Sequence, residues 1–234
     1  MTAFDLFTIG HSNIPAERFT AMLREAGVET VADVRSVPAS RFCPWFSAKN
    51  LAPLLAGAKV DYRYFGDELG GRPRDPSLYC DGVADYEAMA RRSSFQAGVD
   101  RLLGNAGPRR ACLMCSERDP LDCHRCLLVG RALAARGVTI GHILHDAEIE
   151  PHAATERRLL EITGADSDLF ATGHEERLAA AYRRRGCAVA YRAKGATLVM
   201  KINTKKNQCC ALPLACSPLF SLSRPVPPPR RKST

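Results

Sequence analysis

The segment CLMCSERDPLDCHRCLLVG, residues 112–130, reads as strand, loop and helix in one short stretch. The apolar run Arg110–Cys115 predicts a buried strand. Asp122 predicts a cap for a helix over Cys123–Ala135, closed by Gly137. Cys115 then leaves the strand, and Cys123, His124 and Arg125 fall in the first helical turn. Backbone N–H groups at a helix start are unpaired and carry partial positive charge. A thiol placed there loses its proton more easily, and an anion is held there. The segment also spells C-x2-C-x7-C-x2-C, which raises the question of a four-cysteine zinc site. The spacing argues against it, because residues 112 and 115 differ by an odd number and point to opposite faces of a strand. Cys112 and Cys126 sit among apolar neighbours and read as core. The loop after Cys115 is not a C-x5-R phosphatase loop, since Leu121 stands where the arginine would be, and no C-x-x-C-H haem motif is present.

The same alternation extends on both sides. Strands are expected over Phe4–Gly10, Thr30–Val34, Val60–Phe65 and Val138–Leu144, with a short one at Ala188–Tyr191. Helices are expected over Ile14–Ala26, Ser47–Leu55, Tyr86–Leu103, Thr155–Ile162 and Glu175–Arg184. Gly66–Asp81, rich in Gly, Pro and charge, reads as a long loop of the kind that often carries function. The pattern predicts one α/β domain over residues 1–192, with a mostly parallel sheet and helices on both faces. Residues 193–234 form a basic, Pro-rich stretch expected to be disordered.

The chain has 234 residues and a net charge of +8. Eight basic residues and no acidic one lie in 193–234, and the remaining 25 basic residues balance 25 acidic ones. The domain itself therefore gives no compositional sign of nucleic-acid binding. Ten cysteines occur without a secretory signal at the N-terminus or a long apolar run. These features predict a cytoplasmic protein with free, metal-binding or redox-active thiols and no membrane contact.

Four strands are expected to end in polar residues. These are His11 and Ser12, Asp33 and Arg35, Cys115 and Glu117, and His142. Ligands of open α/β sheets bind beyond the carboxyl ends of the strands, so in a parallel sheet these tips converge. His11, His124 and His142 stand at strand tips or a helix start, where proton exchange near neutral pH is useful. His145, His152 and His174 lack such placement. The Leu69–Arg72 turn brings Gly70 and Gly71 into position for close backbone approach to a ligand.

Six motifs then occur in order: TIGHS at 8–12, DVRSVPAS at 33–40, LGGRP at 69–73, CSE at 115–117, CHR at 123–125 and GHI at 141–143. Together they resemble domain-of-unknown-function family 488, over roughly residues 4–192. The resemblance implies an α/β domain with a polar site. It marks His11, Ser12, Asp33, Arg35, Ser40, Gly70, Gly71, Cys115, Glu117, Cys123, His124 and Arg125 as signature positions. Cys112 and Cys126 lie outside that signature.

Three functional readings follow. In the first, an enzyme acts on an anionic substrate. Cys115 or Cys123 is its nucleophile or redox thiol, and His11 or His124 exchanges protons. Asp33 and Glu117 orient the others or serve as acid or base. Arg35 and Arg125 hold the anion, with Ser12, Ser40, Gly70, Gly71 and His142 as further binding residues. A Cys115–Cys123 disulfide is a variant of this reading. In the second, a nucleotide- or nucleic-acid-binding module has structural cysteines. In the third, Cys115, Cys123 and a histidine hold a single metal ion, zinc or iron. No phosphate-binding glycine loop is present, and no other cofactor is called for.

Overall fold

The computed structural model describes residues 4–106, 110–165 and 173–193. The expected disordered stretch lies outside the described residues, apart from Ala193. In chain order the elements are β1 (Leu6–Gly10), α1 (Ala16–Glu25), β2 (Thr30–Asp33), α2 (Ala48–Gly57), β3 (Asp61–Tyr64) and α3 (Gly66–Leu69). There follow β4 (Tyr79–Cys80), β5 (Val83–Ala84), α4 (Tyr86–Ala90), α5 (Ser93–Ala106) and β6 (Ala111–Cys115). A π-helical turn over Arg125–Gly130 leads into α6 (Arg131–Ala134), then β7 (Ile140–Ile143), β8 (Ile149–Pro151), α7 (His152–Thr163) and α8 (His174–Val189).

β1 and β6 are buried at every position, as parallel strands covered on both faces must be. The main sheet has the order β3-β2-β6-β1-β7-β8. Its first five strands run parallel and β8 is antiparallel to β7. β6 lies between β1 and β2, so the chain must cross from β3 over the sheet to insert it. The chain leaves β2 toward β3 and leaves β6 toward β7, in opposite directions. The carboxyl ends of β2 and β6 thus flank a topological switch point, where α/β sheets open a crevice.

Alternation along the strands sends side chains to two cores. Phe7, Ile9, Val31, Cys112 and Met114 pack against Phe19, Met22 and Leu23 of α1 and Leu51 and Leu55 of α2. Leu6, Ala32, Val34, Leu113 and Cys115 pack against Phe95, Val99 and Leu102 of α5 and Leu128 and Leu133 beyond β6. A third cluster, including Leu127, Leu159, Leu160 and Tyr182, fastens α7 and α8 to this second face. Helices thus cover both faces of the sheet. Cys112 and Cys115 do belong to opposite faces, as their odd spacing requires.

Several elements differ from the sequence reading. The expected loop Gly66–Asp81 contains α3, a 3-10 turn at Pro76–Leu78 and β4, which pairs with β5 in a small hairpin. The expected helix Tyr86–Leu103 is broken into α4 and α5. Asp85 caps the first by accepting from Glu87 and Ala88 N–H, and the Arg92 carbonyl accepts from Gln96 N–H to start the second. Ala188–Tyr191 is not a strand, since α8 continues to Val189 and Arg192 makes a single antiparallel bridge to Val83. The polar start of the helix after β6 also differs. Asp119, not Asp122, caps a 3-10 turn by accepting from Leu121 N–H, while Asp122 pairs with Arg185. The short edge strand β8 escapes the period-2 signal because it is only three residues long. No helix among the described residues is long and apolar enough to cross a membrane.

Phe19 is fully buried between α1 and the sheet, whereas Phe42 is 84% exposed. Phe19→Ala is expected to cost about 3–5 kcal/mol of stability. Phe42→Ala should stay within about 0.5 kcal/mol of the parent. Urea unfolding midpoints of the two variants measure the difference.

Candidate functional site

β6 delivers Cys115 to the carboxyl edge of the sheet, and the chain then loops through Ser116–Asp122 before returning at Cys123. Two constraints hold that loop. Arg125 is fully buried and donates from Nη1 to the Glu117 carbonyl at 2.6 Å and from Nη2 to the Arg118 carbonyl at 3.0 Å. β1 approaches from the other side, with Ser12 N–H donating to the Ser116 carbonyl at 2.9 Å. Gly10 permits this approach, because a methyl group there would overlap the Glu117 carbonyl.

The loop folds Cys123 back over Cys115. Cys123 stands at the start of the π-helical turn, its carbonyl accepting from Cys126 and Leu127 N–H. Its Sγ accepts from Arg125 N–H at 3.4 Å, the bond a helix-capping side chain makes. Glu117 Oε2 lies 3.0 Å from Cys115 Sγ and 3.1 Å from Cys123 Sγ. His124 Nδ1 lies 3.7 Å from Cys115 Sγ and 3.8 Å from Cys123 Sγ. The other ring nitrogen of His124 is 2.9 Å from the Val34 carbonyl. A carbonyl only accepts, so Nε2 carries the hydrogen and the Nδ1 lone pair of the neutral ring faces the two sulfurs. Gly71 fits against this ring, since a Cβ there would come within 2.7 Å of it.

The electrostatics separate the two thiols. Burial pushes the Cys115 thiol up, and the neighbouring Cys123 and Glu117 charges add to the effect. Burial opposes ionisation of Cys123 as well, but the hydrogen bond from Cys115 and the charges of Arg125 and His124 bring it well below the usual thiol range. Burial, then the Cys123 charge, raises the Glu117 carboxyl. For His124, burial disfavours the proton, but the Cys123 charge and its hydrogen bonds outweigh burial and raise the value. Of the two thiols, Cys123 therefore ionises first. Cys115 Sγ, Cys123 Sγ and a His124 nitrogen lie within 4.8 Å of one another, a set that can hold a metal ion.

The other expected residues divide into neighbours and outliers. Asp33 and Arg35 form a buried pair, with Nε donating at 2.8 Å and Nη2 at 2.6 Å to the two carboxylate oxygens. Arg35 Nη1 donates to His11 Nε2 at 3.2 Å, because His11 Nδ1–H is committed to the Ser12 carbonyl at 2.9 Å. Tyr62 donates to Asp33 at 2.8 Å, and Phe46 stacks on His11 with ring centroids 4.2 Å apart. Arg35 reaches the wall of the cleft, and the rest of this group buttresses the site from behind. Gly70 packs beside Gly66 and Ser36. Ser12 bonds to Asn13, and Ser40 accepts from Cys43 N–H. Neither serine lines the cleft. His142 is not at a strand tip: it stands inside the ladder opposite Thr8, and its ring bonds to Thr8 and His152 instead. The four parallel strands do end at one edge, but only the tips of β2 and β6 line the cleft.

The thiols open onto a cleft of ≈ 390 Å³ lined by Arg35, Ser36, Arg72, Tyr86 and Tyr191 as well as Cys115, Glu117, Cys123 and His124. Ser36, Arg72, Tyr86 and Tyr191 were not singled out as site residues. Arg72 does fall in the LGGRP motif, and Tyr191 ends the segment Ala188–Tyr191 that reads as a short strand. Arg72 stacks on Tyr191, its guanidinium carbon 4.9 Å from the ring centroid. Its backbone N–H donates to Ser36 Oγ at 2.9 Å. Arg125, expected to bind an anion, instead spends its guanidinium on the loop carbonyls.

Burial holds His11 down, to about 4 from 6.5, with Arg35 adding to the effect and the Ser12 carbonyl opposing it. The unfolded chain therefore binds this proton first, and stability falls as pH drops from about 6.5 toward about 4. His11→Asn is expected to remove up to about 3 kcal/mol of this pH-dependent loss. His142 and His152, lowered in the same direction, keep their shares. Chemical denaturation at pH 4.5, 5.5 and 7 reads the change in slope.

No curated protein and no solved structure matches the chain. The family model described as "Domain of unknown function DUF488" matches residues 15–132, half of the chain. That span includes the Asp33–Arg35 pair, the Gly70–Gly71 turn and the whole Cys115–Arg125 loop. The chain belongs to this family of domains of unknown function, DUF488.

Proposed function

We propose that this protein binds a single zinc-class metal ion at the cleft through Cys115 Sγ, Cys123 Sγ and His124 Nδ1, with an anionic ligand taken up beside it. The observation that carries this reading is the geometry around His124. A tetrahedral metal with bonds of ~2.3 Å to sulfur and ~2.0 Å to nitrogen leaves those ligands ~3.5 Å apart. The two Sγ–Nδ1 separations are 3.7 and 3.8 Å. A metal-ligating histidine donates its other N–H to a carbonyl or carboxylate, the role Val34 fills here. Thiolate and imidazole together select zinc, or iron in the same soft donor set.

Three ligands leave a fourth position, as in metal sites that work on a substrate. Glu117 stands next to that position and lines the cleft. An incoming anion displaces the Glu117 carboxyl and is held by Arg72, whose guanidinium is stacked on Tyr191 and has no side-chain hydrogen bond among the described residues. Arg35, locked to Asp33, adds positive potential at the far wall. An enzyme acting on such an anion is the activity this arrangement supports best. The same donor set without metal would instead expose a Cys123 thiolate flanked by a second thiol, which is the redox or nucleophile reading.

The test is metal content after purification under reducing conditions. The parent should carry one equivalent more zinc or iron than Cys115→Ser/Cys123→Ser. A folded parent with no such difference, and with Cys123 alkylating rapidly at neutral pH, would replace the metal with thiolate chemistry. Arg72→Ala should leave the metal in place and weaken binding of inorganic phosphate about tenfold, or ~1.4 kcal/mol. Calorimetric titration of phosphate into both proteins checks it.

A further inference from the structure

We propose that Cys126, His142 and His152 form a second, buried metal site, separate from the cleft, that takes a divalent ion of the zinc class. One ligand atom from each of the three lies within 4.8 Å of the other two, and all three residues are buried. They come from three elements: Cys126 from the π-helical turn, His142 from the middle of β7 and His152 from the first position of α7.

The outer partners of this cluster fit a metal site. His142 Nε2 and His152 Nδ1 face each other at 2.9 Å. The two outward nitrogens are already engaged. His142 Nδ1 is 2.7 Å from Thr8 Oγ1, and His152 Nε2 is 3.1 Å from the Tyr182 hydroxyl. Tyr182 in turn donates to Glu156 Oε1 at 2.9 Å. This is the outer shell that orients ligating histidines, with a hydroxyl on one ring and a hydroxyl–carboxylate pair on the other.

The protons can be placed by elimination. Tyr182 donates to Glu156, so it accepts from His152 Nε2–H. His152 Nδ1 then accepts from His142 Nε2–H, and His142 Nδ1 accepts from the Thr8 hydroxyl. Binding a metal between the rings asks for two proton changes. His142 moves its hydrogen from Nε2 to Nδ1, where Thr8 Oγ1 accepts it, and Cys126 releases its thiol proton to solvent. The facing nitrogens separate from 2.9 Å to the ~3.3 Å of a tetrahedral site. His152 keeps its tautomer and its bond to Tyr182. Burial pushes the Cys126 thiol up and Arg125 opposes this only in part, so the metal itself must draw off the proton. The resulting thiolate and the Glu156 carboxylate one bond further out offset the charge of the ion. Both imidazoles are held neutral by burial, the form that ligates. Such an ion would pin α7 to β7 and to the turn that follows Cys123 and His124. Its role is structural support of the cleft, not chemistry.

The experiment uses the full chain carrying Cys209→Ser, Cys210→Ser and Cys216→Ser, so that thiols outside the described residues add no metal. Zinc is removed by chelation, restored, and counted by mass spectrometry, with circular dichroism confirming the fold of each protein. This parent should hold two equivalents. Adding Cys115→Ser/Cys123→Ser should leave one, adding Cys126→Ser or His152→Gln should also leave one, and combining both sets should leave none. Tyr182→Phe keeps the ligands but removes an outer partner, and should weaken the second site 10–100-fold in a competition titration. The second site is overturned if the folded Cys115→Ser/Cys123→Ser protein holds no zinc, or if Cys126→Ser and His152→Gln both retain the parent's count. One equivalent lost only with Cys126→Ser would uphold this site and overturn the cleft reading instead.

Discussion

The hydrogen bond from His124 Nε2–H to the Val34 carbonyl joins the end of β2 to the helix that follows β6. The candidate site depends on it, because it fixes which nitrogen of His124 faces the thiols. Released from Val34, the ring could present either nitrogen, and the two sulfurs would lose a fixed lone pair. The bond is available only because β2 and β6 are neighbours, with Val34 N–H itself donating to the Met114 carbonyl at the same edge. The sheet order thus sets the chemistry of a side chain far away in sequence.

Around this bond the protein buries more charge than a core of its size needs. Asp33 and Arg35 are almost completely excluded from water. Removing two ions from water is costly, and geometry must repay it. Here it does so through a bidentate pair whose remaining capacity is used by Tyr62 and His11. Arg125 is equally buried and answers with two carbonyl bonds and the nearby Cys123. Both arginines hold backbone and ring geometry, whereas Arg72, among the described residues that line the cleft, stacks on Tyr191 at its mouth. In the proposed reading the buried arginines position and the rim arginine binds, a division of labour that residue type alone does not convey.

The π-helical turn at Arg125–Gly130 connects the two Cys/His clusters. Its wider turn occurs often at functional sites. Cys123 and His124 precede it and serve the cleft, while Cys126 lies at its start and turns toward His142 and His152. Adjacent residues thereby serve different clusters. The spacing of four cysteines that suggests one zinc site is divided by the fold into a core residue on the far face, a cleft pair and a member of the second cluster.

The sequence by itself determined the strand–helix alternation, the two-faced burial of Cys112 and Cys115, and the concentration of polar groups after β1, β2 and β6. These are local properties. Side-chain period, cap residues and apolar runs act within a few residues of one another, so they are legible in one dimension. The pairing of Cys115 with Cys123 was also legible, since one short loop joins them, but the choice of His124 over His11 beside the thiols was not. Only the tertiary structure decided that β6 inserts between β1 and β2, that His142 sits inside the ladder facing Thr8 and not at the edge, and that His152 and Tyr182 complete a second cluster. Arg72 and Tyr191 meet at the cleft from opposite ends of the domain for the same reason. Parallel strands need long crossovers, so neighbours in the sheet are distant in the chain, and no local spacing records which of them meet.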